Sequence, residues 1–483
     1  MHPLTLTVFI DKISTIPDIA ALRCGFCRSG AVISQKLTIF AVISRDYACR
    51  GSCNDDCQEM NLIYNAAVNT MNSFVGIYGK CLREKSQRKF SRFVKGQRGL
   101  MAQIHEAMAS ADRSVPTIWF HAASLGEYGI ARPLIGELKK RGRCNVVMTF
   151  FSPSGYEALR DRHPDIDYLF YLPLDTRRNA RDFVETVRPD RAVFMVSEYW
   201  PNYLQQLKFA GVPTFLVSAI IRDNSQFFKW YGKTYRNALS TFRHIFVLNN
   251  QSRFNLSMLG FNDVTISGDA LFDNASLVAR TPWTDDVIGR FADGCKVFIA
   301  GSVNDYHDRE MVAELIRRNP DVKFIVVPHD VSENEVARVR DAIAGSSVLY
   351  SQCDATTDFS GVQTLIVDCM GKLAYIYRYG TWAYVGGGFT PLLHSVIEAT
   401  VYGLPVSFGP RIERKVTPQQ LAECGIGQVV NNAGELCDWF APLKDDDQRL
   451  GEIRRTAARY VAENRGATDN IITTITKGLW AND

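Results

Sequence analysis

The sequence predicts an α/β protein of two doubly wound, Rossmann-like domains facing across a cleft, and three observations carry that expectation. Strand-like and helical runs alternate from Thr117 onward, a pattern that implies right-handed crossovers and parallel sheets with helices on both faces. The alternation breaks once, over the polar stretch Leu271 to Arg290 with its Thr281-Pro282-Trp283, which reads as a linker, and resumes near Lys296. At 483 residues the chain exceeds what one core usually holds, so two domains of about 150–200 residues each are expected.

Residues 1–59 are expected to be a poorly structured extension, with Met60 as a natural first residue. They hold five of the twelve cysteines (Cys24, Cys27, Cys49, Cys53 and Cys57), few periodic segments and no charged-then-apolar signal peptide. A zinc site built on Cys24-x-x-Cys27 is the competing reading, although the spacing matches no standard finger well. The remaining seven cysteines are scattered singly, as in a reducing compartment.

Residues 60–100 are expected to be a membrane-associated helix followed by a basic linker. The apolar run from Met60 to Gly79 is interrupted by Asn61, Asn65, Asn69 and Asn72. A spanning helix needs about 18–20 nearly unbroken apolar residues, so a helix lying on the bilayer is the better fit. From Lys80 to Arg98 eight basic residues (Lys80, Arg83, Lys85, Arg88, Lys89, Arg92, Lys95 and Arg98) oppose one acid, Glu84. Such a run suits an anionic membrane face, at about 1 kcal/mol per cation, or a solvated linker. The net charge of the whole chain, +4, is too small to argue for nucleic acid, and 46% apolar with 22% charged residues is ordinary for a globular protein.

The first domain, residues 101–275, should carry strands at Ile118–His121, Asn145–Phe151, Tyr168–Leu172, Ala192–Val196, Thr214–Val217 and His244–Leu248, each followed by a helical stretch. The second, residues 290–465, should carry Lys296–Ala300, Lys323–Val327, Ser347–Tyr350, Thr364–Val367, Trp382–Val385 and Pro405–Phe408. Residues 466–483 close the chain as a helix. No short-period repeat is visible.

Candidate site residues follow from where such sheets bind ligands, at the carboxyl ends of strands. Glu127, in Ile118-Trp-Phe-His-Ala-Ala-Ser-Leu-Gly-Glu127, stands at such an end, where a carboxylate can take a proton from an incoming hydroxyl. Ser124-x-x-Glu127 equally fits a capping box. Glu198, in Val196-Ser-Glu198-Tyr-Trp200-Pro201-Asn202, would join it at the same cleft, a pairing familiar from glycosyl chemistry. In the second domain Gly386, Gly387 and Gly388 lead into His394, Ser395 and Glu398. That turn allows close approach of a phosphate, with a carboxylate available to ribose hydroxyls, while Ser395-x-x-Glu398 is again a possible cap. Ser302, after the first strand, is a second phosphate candidate. His329, at the end of the next strand, reads either as a donor in the crevice or as a surface histidine.

His121-Ala-Ala-Ser-Leu-Gly-Glu127, Leu172-Pro-Leu-Asp175, Ser197-Glu198-Tyr-Trp200-Pro201-Asn202, Gly268-Asp-Ala-Leu-Phe272-Asp273 and His394–Glu398 occur in this order. Together they resemble the 3-deoxy-D-manno-octulosonic acid (Kdo) transferases of lipopolysaccharide synthesis. Thr149-Phe-Phe-Ser-Pro-Ser-Gly-Tyr156, Leu216-Val-Ser-Ala219 and Phe227-Phe-Lys-Trp-Tyr-Gly232 look like the Bacteroidetes branch. The resemblance spans about residues 60–480.

It implies a GT-B fold, CMP-Kdo as donor, no bound metal or other cofactor, a tetra-acylated lipid A precursor as acceptor, and a place on the cytoplasmic face of the inner membrane. Glu127 then matches the family's base in an inverting displacement, Glu198 helps hold a sugar, Glu398 meets the nucleotide ribose, and His394 and Ser395 flank the phosphate. The chain departs from the pattern at four places. It has Leu393-His394-Ser395 for Gly-His-Asn, Leu271 for a Lys or Arg, Val196 for the first Glu of Glu-Thr-Glu, and Gly301-Ser302-Val303-Asn304 for a Gly-Ser-Thr segment. These leave two rivals, a GT-B transferase using a UDP-sugar and a catalytically inactive membrane-surface scaffold of the same fold.

Overall fold

The computed structural model describes residues 55–81, 89–160, 164–229, 232–343, 345–390, 393–413 and 415–480. The expected extension and its cysteine cluster, apart from the stretch of helix that includes Cys57, lie outside the described residues, as do Arg83, Lys85 and Arg88 of the basic run. The chain divides into two compact units, one reaching to Ala270 and including Gly466 onward, the other Leu271–Arg465.

Unit 1 is built on seven parallel strands: β1 (Thr117–Ala122), β2 (Asn145–Phe150), β3 (Tyr168–Tyr171), β4 (Arg191–Met195), β5 (Thr214–Ala219), β6 (Phe242–Val247) and β7 (Val264–Ile266), in the order β3-β2-β1-β4-β5-β6-β7. Unit 2 repeats the plan with β8 (Val297–Val303), β9 (Lys323–Pro328), β10 (Ser347–Leu349), β11 (Thr364–Ile366), β12 (Trp382–Val385), β13 (Val406–Phe408) and β14 (Gly427–Val429), in the order β10-β11-β9-β8-β12-β13-β14. All twelve strand runs expected from the sequence are strands. Each sheet reverses its direction of travel once, between β1 and β4 and between β8 and β12. Those are the switch points where strand-end loops part and a ligand can enter.

The central strands are buried on both faces, so they read as nearly unbroken apolar runs. In unit 1, Trp119 of β1 is fully buried and packs its ring against Phe183, Phe194 and Tyr203.

The helix Asp55–Cys81 packs on unit 1. Val68 and Val75 are buried, and Met71, Phe74 and Tyr78 pack against a cluster that includes Phe90, Phe93 and Val94 of the helix Lys89–Gln97. Those residues of its apolar face are thereby taken up by the protein, and among the described side chains Leu62 and Ile77 are its exposed large apolar residues. Among the described residues no helix is long and apolar enough to cross a membrane.

The stretch expected as a linker is instead mostly helical, as Ala270–Arg280 and Asp286–Ala292. Phe272, Ala275, Val278, Ile288 and Phe291 recur there at helical spacing and are buried, most of them within the core of unit 2. Trp283, between the two helices, stacks on Tyr375 at 5.2 Å between ring centroids. At the other end the helix Asp447–Asn464 packs in unit 2. After Gly466, at φ +98°, the helix Ala467–Thr476 returns to unit 1. There Arg141 meets Asp469 at 2.5 Å, and the Trp480 indole donates to the Arg143 carbonyl at 3.2 Å.

Candidate functional site

At the switch point of unit 1 the loop after β1 leads into the helix Leu125–Arg141, with Ser124 as its N-cap residue. The Ser124 side chain makes no capping hydrogen bond. Glu127, in the first turn, reaches back instead, and its Oε2 accepts the Ala123 N–H at 2.5 Å. That N–H belongs to the residue before the N-cap, so this bond is not the return half of a capping box. Glu127 stays half-buried at the carboxyl end of β1, its carboxylate tied to the loop it rises from.

Glu198 does something else. The expectation that two glutamates point into one crevice is not what the structure shows, because Glu198 is only 2% exposed. Val196 at the end of β4 adopts φ +55°, an outlier for a β-branched residue, and the chain turns there. Glu198 Oε2 accepts the Trp200 indole N–H at 2.7 Å and lies 3.1 Å from His121 Nε2. His121 is wholly buried and its Nδ1 stands 2.9 Å from Thr149 Oγ1, which itself accepts the Trp119 N–H at 2.8 Å. The Trp200 indole N–H also reaches His121 Nε2 at 3.0 Å, and His121 Nδ1 lies 3.2 Å from the Thr149 carbonyl, so both ring nitrogens are engaged. Glu198 thus ties the end of β4 to that of β1.

A second buried carboxylate, Asp175, joins two of the quoted motifs. It accepts the backbone N–H groups of Asn202 at 3.2 Å and Tyr203 at 3.0 Å, at the start of the helix Pro201–Phe209, and the Tyr64 hydroxyl at 2.6 Å. Asn65, on the same N-terminal helix as Tyr64, accepts from the Asn202 amide at 2.9 Å. His121 and Asp175 stood in the sequence motifs without a role. Their one signal was a polar residue inside or just after an apolar strand.

In unit 2, Ser302 sits at φ +55° near the end of β8, where the pairing with β9 slips between Gly301 and Val303. The glycine turn packs against it. A Cβ on Gly386 would lie 2.2 Å from the Ser302 carbonyl oxygen, and one on Gly388 would lie 2.4 Å from the Gly409 nitrogen. Gly387 is at φ +84°. Close approach of protein backbone therefore already demands these glycines. Asp308, fully buried and missed by the sequence reading, binds the two loops together by accepting the N–H groups of Asn304 at 3.0 Å and Gly387 at 2.8 Å and the Tyr384 hydroxyl at 2.6 Å. Burial pushes its carboxyl up. Asp305-x-x-Asp308, the capping box of the helix Tyr306–Arg318, was the available signal.

The structure brings His394 and His329 together, ring centroids 4.2 Å apart, and the His394 N–H donates to the Gly386 carbonyl at 3.2 Å. Burial, then the neighbouring His329 and Lys415, push His394 down to about 4, so its ring is neutral at pH 7. Its Nε2 is buried without a hydrogen-bond partner. His329 is exposed and lines a cavity of about 400 Å³ with Asn304, Tyr306, Arg309 and Arg338. Ser395 is exposed. The capping reading of Ser395 and Glu398 fails, since the helix Ile397–Thr400 is a single turn with Val396 as its N-cap residue. So short a helix also adds little dipole. Glu398 is half-buried and pushed up to about 7 by burial. Among the described residues it has no hydrogen bond or ion pair. Among those residues, too, no cluster of three or more His, Cys, Asp or Glu side chains could hold a metal ion.

Comparison with known proteins places these features. Residues 86–274 match the family model described as 3-deoxy-D-manno-octulosonic-acid transferase. The chain is 27% identical over 358 residues to 3-deoxy-D-manno-octulosonic acid transferase of Chlamydia muridarum, covering 70% of this chain and 81% of that protein. To the enzyme of the same name from Bordetella pertussis it is 26% identical over 409 residues, 78% of this chain and 92% of that one. Among solved structures, UDP-GlcNAc 2-epimerase from Neisseria meningitidis superposes with a TM-score of 0.55 at 15% identity, over 75% of this chain and 100% of that chain. That likeness concerns the fold alone and agrees with the GT-B class.

Proposed function

The chain belongs to the Kdo transferase family, and from that premise we propose that it moves Kdo from CMP-Kdo to a tetra-acylated lipid A precursor with inversion at the anomeric carbon. One observation carries the assignment of roles: the motif glutamate Glu127 stands half-buried at the switch point of the unit 1 sheet, held by the Ala123 N–H. In this reading Glu127 takes the proton of the acceptor hydroxyl as that oxygen attacks. The bond to CMP lengthens through an oxocarbenium-like state. His121, Glu198 and Trp200 keep the ends of β1 and β4 in register beneath the reaction.

Unit 2 supplies the donor site. The unpartnered Glu398 carboxyl is suited to the two ribose hydroxyls of the cytidine. His394 Nε2, neutral and unpartnered, and the exposed Ser395 offer hydrogen bonds to the phosphate. Ser302, His329 and Gly386 to Gly388 shape the wall around it. No metal or other cofactor enters this scheme. The basic run from Lys80 to Arg98, with Leu62 and Ile77 exposed on the adjoining helix, supports peripheral attachment to the cytoplasmic face of the inner membrane.

The test is transfer by the purified protein in detergent, with CMP-Kdo generated in place and a tetra-acylated acceptor. The parent should form product, and Glu127→Gln and Glu127→Ala should lose about 10²–10⁴-fold in turnover, the range of a positioned general base, while still binding CMP. Inhibition by UDP in place of CMP, or a Glu127→Gln variant with parental turnover, would overturn the reading.

A further inference from the structure

Two motifs, Leu216–Ala219 and Phe227–Gly232, have no part in the roles assigned above, yet the structure gives the first an unusual geometry. Pairing of β5 with β6 runs through Leu216 opposite Ile245 and resumes at Ala219 opposite Val247. Two residues, Val217 and Ser218, therefore face one, a bulge of the kind that re-aims a side chain beside a functional site. Ser218 sits in it at φ +58°, and its neighbour on β4, Val196, is at φ +55°. Adjacent strands thus leave β geometry side by side, at a cost in backbone strain that surrounding contacts must sustain.

Ser218 is 1% exposed and its hydroxyl has no hydrogen-bond partner. One residue beyond Glu198, the Tyr199 hydroxyl is also buried and makes no hydrogen bond of good geometry, with the Ser197 side chain as its polar neighbour. Its ring is held against Phe227 at 5.1 Å, and Arg236 fixes that loop by donating to the Phe227 carbonyl at 2.6 Å. Buried hydroxyls without partners are uncommon because each forfeits its hydration. Strands β1, β4 and β5 are neighbours in the sheet. Glu127 after β1, Tyr199 after β4 and Ser218 in β5 therefore follow one another along the same edge. At about 4.8 Å per strand, the ends of β1 and β5 stand about 10 Å apart, a span that a disaccharide can bridge.

We propose that the hydroxyls of Tyr199 and Ser218 are the polar grip on the acceptor sugar, hydrogen-bonding its hydroxyl or phosphate oxygens while Glu127 faces the hydroxyl that reacts. This rests on the reading that the chain glycosylates a sugar acceptor. The Ser218 hydroxyl acquires a partner only when the acceptor binds, Tyr199 adds one to its contact with Ser197, and the bulge in β5 is what turns Ser218 toward the acceptor.

Ser218→Ala and Tyr199→Phe test this by initial rates against acceptor concentration at saturating CMP-Kdo, with thermal unfolding and direct acceptor binding measured beside them. Each variant should raise the acceptor KM about fivefold, the value of one hydrogen bond, and leave the KM for CMP-Kdo unchanged. Ser218→Ala should not lower Tm, since the hydroxyl removed has no partner in the free protein, and Tyr199→Phe should lower it by no more than the weak contact with Ser197 supplies. An unchanged acceptor KM in both variants overturns the proposal, as does a KM rise matched by a fall in Tm, which marks a structural role. A parent that binds acceptor without turnover, with both variants binding more weakly, supports the grip and overturns the transferase reading. A parent that binds no acceptor overturns both.

Discussion

Glu398 shows what burial does to a carboxyl that has no hydrogen bond or ion pair among the described residues. Its carboxyl is pushed from 4.5 to about 7, so between those values the folded protein keeps a proton that the unfolded chain has lost. Stability from this group therefore falls as pH rises through that window, by on the order of 3 kcal/mol if the shift is fully expressed. His394, pushed from 6.5 down to about 4, acts in the opposite sense, because the unfolded chain holds the proton and stability rises with pH between those values. The two slopes oppose each other over most of the same range. Glu398→Gln should remove one and expose the other, giving stability that climbs from pH 4 to 6.5 and then exceeds the parent's above pH 7. Urea unfolding at stepped pH measures this, and parallel pH profiles for variant and parent would refute it. Glu127 and Glu198 make a related point about legibility. Both are carboxylates just past a strand, alike in sequence, and only the turn at Val196 and the indole of Trp200 separate the half-buried one from the buried one.

Among elements, the N-terminal helix is the one to which the structure adds most. Its interrupted apolar run suggested a helix resting on a bilayer, and its asparagines looked like mere interruptions. Asn65 in fact pairs with Asn202, and Tyr64 donates to the fully buried Asp175 at 2.6 Å. Tyr64→Phe should cost about 1–3 kcal/mol, because a buried carboxylate loses a donor that water cannot replace. Denaturant unfolding reads that loss, and a change within a few tenths of a kcal/mol would show that Asp175 is satisfied without the helix. The strands were legible for the opposite reason. Central parallel strands are buried on both faces and announce themselves as apolar runs. The two that escaped notice, β7 and β14, are three-residue strands at the outer edges of their sheets, neither of them fully buried.

At the scale of the whole molecule, the chain leaves unit 1 near Ala270 and comes back at Gly466. The returning helix buries Ile471, Ile472 and Ile475 completely, each worth about 1.5–3 kcal/mol. Trp480 lies where a Cβ on Gly142 would come within 2.7 Å of its ring. Ending the chain at Arg465 should lower the melting transition of unit 1 by roughly 10 °C or more and leave that of unit 2 in place. Calorimetry of the shortened protein checks this, and a unit 1 transition that does not move would mean the helix contributes little.

The sequence by itself determined the two-sheet α/β plan, twelve of the fourteen strands among the described residues, the resemblance to the Kdo transferases and the motif glutamate Glu127. Those properties are written in short-range pattern: apolar runs, turn residues and spacings that survive without knowledge of neighbours. Tertiary structure decided which carboxylates are buried, that the glycine turn is packed against Ser302 and Gly409, that Asp308 and Asp175 are structural anchors, and that Ser218 holds a buried hydroxyl without a partner. Each of those depends on which distant residues share a space, and on φ angles set by the register between strands. Pattern along the chain does not contain either.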